Sequence, residues 1–246
     1  MIVRGATPAR EGDPEGAITT APIRVCLFDA YGTLFDVHSA MAKHAAAVGD
    51  NAGEISKLWR TKQLEYSWVH SLMGHYVDFW HITQAALEFA LQSYRIEDQR
   101  LRRALSDSYL VLDAYPEIVG VLQKLRRVGL TTAILSNGSP NMLRRAVQSA
   151  GLDELLDICL SIEGGGIYKP HRTAYELATS SLEMEPANIA FFSSNAWDAI
   201  GAHTFGFRTF WVNRLNQPEE YGLYGKVVRL RALDAVFGHI TVPNQV

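Results

Sequence analysis

Five short apolar runs recur along the chain, and their spacing constrains the fold more than any other feature. They are "IRVCLFDA" (23–30), "LTTAILS" (130–136), "ICLSI" (158–162), "IAFFSS" (189–194) and "RTFWVN" (208–213). Each is rich in β-branched or aromatic residues, as a strand covered on both faces requires. From the second run onward, a helix-length polar and apolar pattern separates each run from the next. That alternation is the mark of βαβ units, so the expected class is α/β, with a Rossmann-like, doubly wound parallel sheet.

About a hundred residues lie between the first two runs, far more than one crossover needs. Residues 37–114 contain almost no Gly or Pro and carry Ile55, Leu58, Trp59, Lys62, Tyr66, Val69 and Met73 at helical spacing. The expectation is an inserted helical cap over 37–114, with the core formed by 23–36 and 115–246. The segment following Pro116, "PEIVGVLQKLRRVG", is expected to return to the core as a helix. Residues 1–22 hold Pro, Gly and charge without the apolar centre of a signal peptide, and read as a disordered or irregular leader.

Charge and cysteine usage remove several function classes. With 23 basic and 26 acidic residues in 246, the formal net charge is −3, and no run of five like charges occurs. No nucleic-acid or membrane-surface partner is indicated. No apolar run reaches the ~18 residues of a membrane span, so a soluble, cytoplasmic protein is expected. Cys26 and Cys159 stand far apart without a CxxC motif and read as reduced, buried, inert thiols. His70, His75, His81 and His203 fall in no metal-ligand pattern such as HExxH, and Gly164-Gly165-Gly166 lacks the GxGxxG dinucleotide fingerprint. Neither a metal nor a cofactor is expected.

Open parallel sheets bind ligands beyond the carboxyl ends of their strands. The first run ends in Asp29, the second in Ser136-Asn137-Gly138, and the fourth in Ser193-Ser194-Asn195, with Asp198 beginning the next helix. After the third run the loop "EGGGIYKP" delivers Lys169. Four segments thus bring one lysine, two carboxylates and several amides and hydroxyls to one edge of the sheet. Read without further context, Ser136-Asn137 could be simple turn punctuation and Asp198 a first-turn acid favoured by the helix dipole.

In order and at strand ends, these residues resemble the four motifs of the haloacid dehalogenase superfamily over nearly all of residues 23–235. Asp29 and Thr33 match the first motif, Ser136 the second, Lys169 the third and "SSNAWD" the fourth. Most members of that superfamily are magnesium-dependent phosphatases, with a second Asp two residues beyond the nucleophile and an acidic metal ligand in the fourth motif. Here those positions are Tyr31 and Ser194. A phosphoryl dianion approaching a carboxylate needs a divalent cation. A halide leaving group needs neither proton nor metal, only donors.

Two longer stretches, "WRTKQLEYSWVHSLMGHYVDFW" (59–80) and "FFSSNAWDAIGAHTFGFRTFWVNR" (191–214), closely resemble L-2-haloacid dehalogenases. The resemblance implies attack by Asp29 on C2 of a short L-2-haloacid, an aspartyl ester, and its hydrolysis to a D-2-hydroxy acid. It assigns Arg60 and Phe79 to the halide and substrate pocket, Tyr31, Leu64 and Trp197 to its lining, and Ser136 and Asn137 to carboxylate and halide contacts. It makes Thr33, Lys169, Tyr175, Ser193, Asn195 and Asp198 the support of the nucleophile and the hydrolytic water. No cofactor is implied, and relatives are often homodimers. A phosphatase of the same fold and a binding protein that has lost turnover are the alternatives.

Overall fold

In the computed structural model, which describes residues 21–240, all five apolar runs form parallel strands and a sixth joins them. The strands are β1 (Val25–Phe28), β2 (Thr131–Ser136), β3 (Ile158–Ser161), β4 (Ile189–Ser193), β5 (Arg208–Val212) and β6 (Val228–Leu230). Their order is β3-β2-β1-β4-β5-β6, every neighbouring pair being parallel. The order reverses between β1 and β4, which opens a crevice at their carboxyl ends. The sixth strand was not foreseen, because three residues at a sheet edge are too short to carry a periodic signal.

Five helices lie between β1 and the next core helix: α1 (Ser39–Ala42), α2 (Ala45–Val48), α3 (Ala52–Leu72), α4 (Phe79–Ser93) and α5 (Gln99–Tyr109). The chain returns through α6 (Ile118–Arg127), and α7 (Pro140–Ser149), α8 (Arg172–Leu182) and α9 (Ala196–Phe205) connect successive strands. Side-chain caps define three of these starts, that of α8 through His171, whose ring accepts from the Thr173 N–H. Asp78 accepts from the N–H groups of Trp80 and His81 and so fixes where α4 begins, while Asp98 does the same for α5.

The strand register aligns Phe28, Phe192 and Phe210 on one face, where their rings stack at 4.9 and 4.7 Å between centroids. On the opposite face Phe191 packs against Tyr175 and Phe207. These layers hold β1 and β4 rigidly at the point where the crevice opens.

Two readings need correction. The buried stripe of α3 consists of Ala52, Ile55, Ser56, Trp59, Gln63 and Ser67, and Val69 and Met73 lie exposed. The apolar spacing identified the helix but followed the wrong face beyond Trp59, because the inner face is partly polar. Cys159 is exposed, since β3 is an edge strand, whereas Cys26 in central β1 is buried. The proposed leader lies outside the described residues as far as residue 20.

Candidate active site

Asp29 stands one residue past β1, its N–H still donating to Phe192 O at 2.9 Å, so the sheet ladder aims the side chain into the crevice. The chain must then turn away at once. Gly32 makes this turn at φ +91°, a region that L side chains rarely enter, and its N–H donates to Phe35 O. The turn returns Thr33, whose hydroxyl donates to Asp29 Oδ2 at 2.9 Å and accepts from Ser194 N–H at 2.8 Å.

Lys169 lies fully buried between two carboxylates. Its three N–H donors go to Asp29 Oδ1 (2.8 Å), Asp198 Oδ2 (2.7 Å) and Leu135 O (3.0 Å), the full capacity of an ammonium. Burial alone would pull the lysine pKa down, but the charges of Asp198 and Asp29 outweigh it and the pKa is raised. Asp198 is raised as well, first by burial and then by the charge of Asp29, against the opposing pull of Lys169. Its other oxygen accepts from Tyr175 OH at 2.7 Å. That tyrosine fits against α9 only because residue 201 is glycine: a Cβ there would lie 2.5 Å from the phenol oxygen.

Asn195 joins the two sides of the site. Its Nδ2 donates to Asp29 Oδ2 at 2.9 Å, and its Oδ1 accepts from Arg60 Nη2 at 3.3 Å. The reverse amide orientation would set oxygen against carboxylate, so the assignment is forced by its neighbours. Ser193 Oγ accepts from Asn195 N–H at 3.1 Å and holds this turn. Arg60, on α3, also donates to Tyr31 O at 3.2 Å and, through Nη1, to Gln63 Oε1 at 2.7 Å. Two of its five N–H donors thus have no partner among the described residues.

A nearly closed cleft of about 10 Å³, room for roughly one water molecule, lies over Asp29 and is lined by Tyr31, Arg60, Leu64, Phe79, Ser136, Asn137 and Trp197 besides the aspartate itself. Every residue assigned in the sequence to substrate contact lies on this cleft. Those assigned to support lie beside or beneath it: Thr33, Lys169 and Asn195 touch Asp29, Asp198 and Tyr175 touch Lys169 or its partner, and Ser193 touches Asn195. Asn137 Oδ1 accepts from the backbone N–H of Lys169 at 3.0 Å, which turns the amide by its acceptor and leaves its donors for a ligand. Tyr31 stacks on Tyr109 (5.7 Å, 12°) and packs against Phe79, and its hydroxyl is buried with no hydrogen-bond partner among the described residues.

Two groups of site residues were not recognised in the sequence. Arg214 donates to Ser194 Oγ, Thr33 O and Gly32 O, pairs with Glu117 at 2.6 Å and lies over the Tyr115 ring. It ties together the nucleophile turn, the end of β4 and the chain entering α6. Ser194, considered above as the position of an absent metal ligand, instead accepts from this guanidinium. The second group, Gln63 with Thr83 and Tyr109, surrounds Arg60. A polar residue on the buried stripe of α3 was the available signal.

Residues 23–206 match the family model described as haloacid dehalogenase-like hydrolase. (S)-2-haloacid dehalogenase 1 of Pseudomonas sp. (strain CBS-3) is 51% identical over 201 residues, 81% of this chain and 88% of the relative. A crystal structure of a dehalogenase with an intermediate complex superposes with a TM-score of 0.88 at 43% identity, covering 92% of this chain and all of that one (100%). The L-2-haloacid dehalogenase of Xanthobacter autotrophicus with chloropropionic acid covalently bound superposes with a TM-score of 0.82 at 34% identity, over 89% of this chain and 100% of that one.

Proposed function

The chain belongs to the haloacid dehalogenase-like hydrolases, and from that membership we propose that it is an (S)-2-haloacid dehalogenase, which converts short L-2-haloacids to D-2-hydroxy acids with release of halide. The observation that carries this reading is the saturation pattern around Asp29. Oδ2 accepts two hydrogen bonds, from Thr33 and Asn195, and Oδ1 accepts one, from Lys169. A carboxylate oxygen has two lone pairs, so Oδ1 keeps one for attack on C2. Displacement opposite the carbon–halogen bond inverts that carbon.

The same pattern supports the second step. Once Oδ1 is esterified, Oδ2 becomes the ester carbonyl oxygen and already sits between two donors. Water attacking Cγ places negative charge on Oδ2, where Thr33 and Asn195 act as an oxyanion hole. On collapse the Cγ–Oδ1 bond breaks and Oδ1 leaves as the product hydroxyl with one proton of the water. The water oxygen completes the Asp29 carboxylate while the second proton passes to solvent. Asp29 meanwhile loses its charge, and Asp198 alone balances Lys169. Arg60, with two unused donors, and the amide of Asn137 provide for the substrate carboxylate and the departing halide. Tyr31, Leu64, Phe79 and Trp197 exclude water from them.

We take the reaction to need no metal. Tyr31 stands where a phosphatase would carry its acid, Ser194 faces Arg214, and the one acceptor site on Asp29 that its three donors leave free is the one the attack on C2 uses. Residues 37–114 are proposed as the cap, 23–36 with 115–246 as the core. A homodimer is proposed on the strength of the exposed apolar Val69, Leu72 and Met73, and a cytoplasmic site is proposed beside it; no described helix is long and apolar enough to cross a membrane.

The deciding experiment measures halide release from L- and D-2-chloropropionate with EDTA present, beside phosphomonoester hydrolysis with Mg²⁺. Chloride from the L form alone, unaffected by EDTA and abolished in Asp29→Ala, is the expected result. Phosphate release without chloride would replace this reading by a phosphatase of the same fold.

A further inference from the structure

We infer that Gln63, a fully buried amide on α3, is a positioning residue that fixes the Arg60 guanidinium in the orientation that meets the departing halide. The inference rests on the dehalogenase reading above and concerns a residue that reading does not use.

Burying an amide among apolar neighbours is unfavourable unless its donors and acceptor are all matched. Gln63 is 0% exposed. Its Oε1 accepts from Arg60 Nη1 at 2.7 Å and from Tyr109 OH at 3.1 Å, and its Nε2 donates to Thr83 Oγ1 at 2.7 Å. The proton arrangement follows from the end of the chain of bonds. Thr83 Oγ1 lies 2.6 Å from Phe79 O, a carbonyl that can only accept, so the threonine hydroxyl must donate there. Its oxygen is then left to accept from Gln63 Nε2, which turns Oε1 toward Arg60. Only one orientation of the amide satisfies every partner.

The network also spans the three long helices beneath which the cleft lies. Arg60 and Gln63 share a face of α3 at a spacing of three residues. Thr83 and Phe79 belong to α4, where Phe79 lines the cleft, and Tyr109 ends α5 and stacks on Tyr31 beside the nucleophile. Trp59 Nε1 adds a bond to Thr83 O at 2.8 Å. A flexible arginine with one arm held by Gln63 and the other by Tyr31 O and Asn195 Oδ1 is ordered before substrate arrives. Catalysis depends on such placement, since displacement by about 1 Å can cost roughly a hundredfold in rate.

An amide that merely joined cap helices would affect every substrate alike. One that aims Arg60 matters most where the departing anion needs most stabilisation, and chloride needs more than bromide. The test is kcat and KM for L-2-chloropropionate and L-2-bromopropionate in wild type, Gln63→Met and Thr83→Val, with thermal unfolding recorded for each. In Gln63→Met, kcat for the chloride substrate is expected to fall about ten- to a hundredfold, and that for the bromide substrate by a clearly smaller factor. Thr83→Val, which keeps the amide but removes its anchor, is expected to shift the ratio in the same sense by less, and it decides alone if Gln63→Met does not fold. Equal losses on both substrates, or an unchanged ratio in Thr83→Val, would overturn the role. A wild type that releases neither halide would sink the dehalogenase reading instead.

Discussion

The strand ends beneath the cleft and the helices above it are built on different terms. Below, every donor of Lys169 is matched and both oxygens of Asp198 are bonded, with Tyr175, Leu135 and Thr33 closing the network. Above, Arg60 has donors without partners among the described residues, and the Tyr31 hydroxyl, whose ring rises from the strand end to pack on Phe79 and Tyr109, has no partner among them. The lower half spends its hydrogen-bonding capacity on the protein, save one lone pair of Asp29 Oδ1 and the amide donors of Asn137. The upper half keeps part of it for a ligand. Substitutions below should therefore strike stability and chemistry together, while those above should separate the two.

Lys169→Met tests the lower half most severely. It leaves two buried carboxylates without their shared cation, a change of about 3–5 kcal/mol in stability, and should reduce halide release by at least about 10³-fold. The pH response gives an independent check. The lysine pKa is raised in the folded protein, so its contribution is complete below the ordinary value of about 10.4 and is lost as pH rises through the folded value. Thermal unfolding from pH 8 to 11 should show a steeper alkaline decline in wild type than in the variant; parallel curves would show that Lys169 is not the charged link described here.

Thr33→Val comes next and acts on one step only. It removes a donor to the ester carbonyl, so hydrolysis of the intermediate should slow by about 10²–10³-fold while alkylation of Asp29 continues. Mass spectrometry of enzyme quenched with L-2-chloropropionate should then find the aspartyl ester accumulated. A variant with slow turnover and no trapped ester would assign Thr33 to the first step.

The same division explains what could be read from the sequence. Asp29, Lys169 and Asp198 are charges at the ends of apolar runs, where a carboxylate or ammonium has little reason to be unless it is paired or used. Their chain order and the stretches around them made the resemblance legible, and with it the cleft residues Arg60, Phe79 and Trp197. Gln63 was missed because hydrophobic spacing seeks apolar residues on a buried face, and this face holds an amide, two serines and a tryptophan. Arg214 and Glu117 are 97 residues apart, and no local pattern links them. The edge position of Cys159 depends on strand order, which the runs themselves do not state.

Tyr31→Phe probes the reserved capacity above the cleft. A buried hydroxyl without a partner costs roughly 1–3 kcal/mol relative to one that is matched, so its removal should raise stability, by about 1 kcal/mol or less after losses in packing. If the hydroxyl serves the bound substrate, kcat/KM should fall severalfold in the same variant, opposite in direction to the unfolding temperature. A more stable enzyme with unaltered kinetics would show that this hydroxyl is no part of recognition and would narrow the reserve to Arg60.

The smallest effect is expected where the two halves join. His38 follows the nucleophile turn, and its Nδ1 lies 2.7 Å from Ser56 Oγ on the inner face of α3. Burial lowers its pKa; Arg60 and Lys57 add to the shift and Asp36 opposes it. As pH falls below the ordinary histidine value of about 6.5, the unfolded chain takes up a proton before the folded one does. Stability is thus full above that value and declines as pH drops through the lower, folded one. The group is partly exposed, so the decline should be shallow, and His38→Gln should flatten it while leaving the alkaline limb governed by Lys169 unchanged. Because the imidazole meets α3 one turn before Arg60, an accompanying fall in kcat/KM over the same pH range in wild type, absent from His38→Gln, would mean that the junction transmits its protonation to the guanidinium. Unfolding curves that decline alone would confine the effect to the stability of the join.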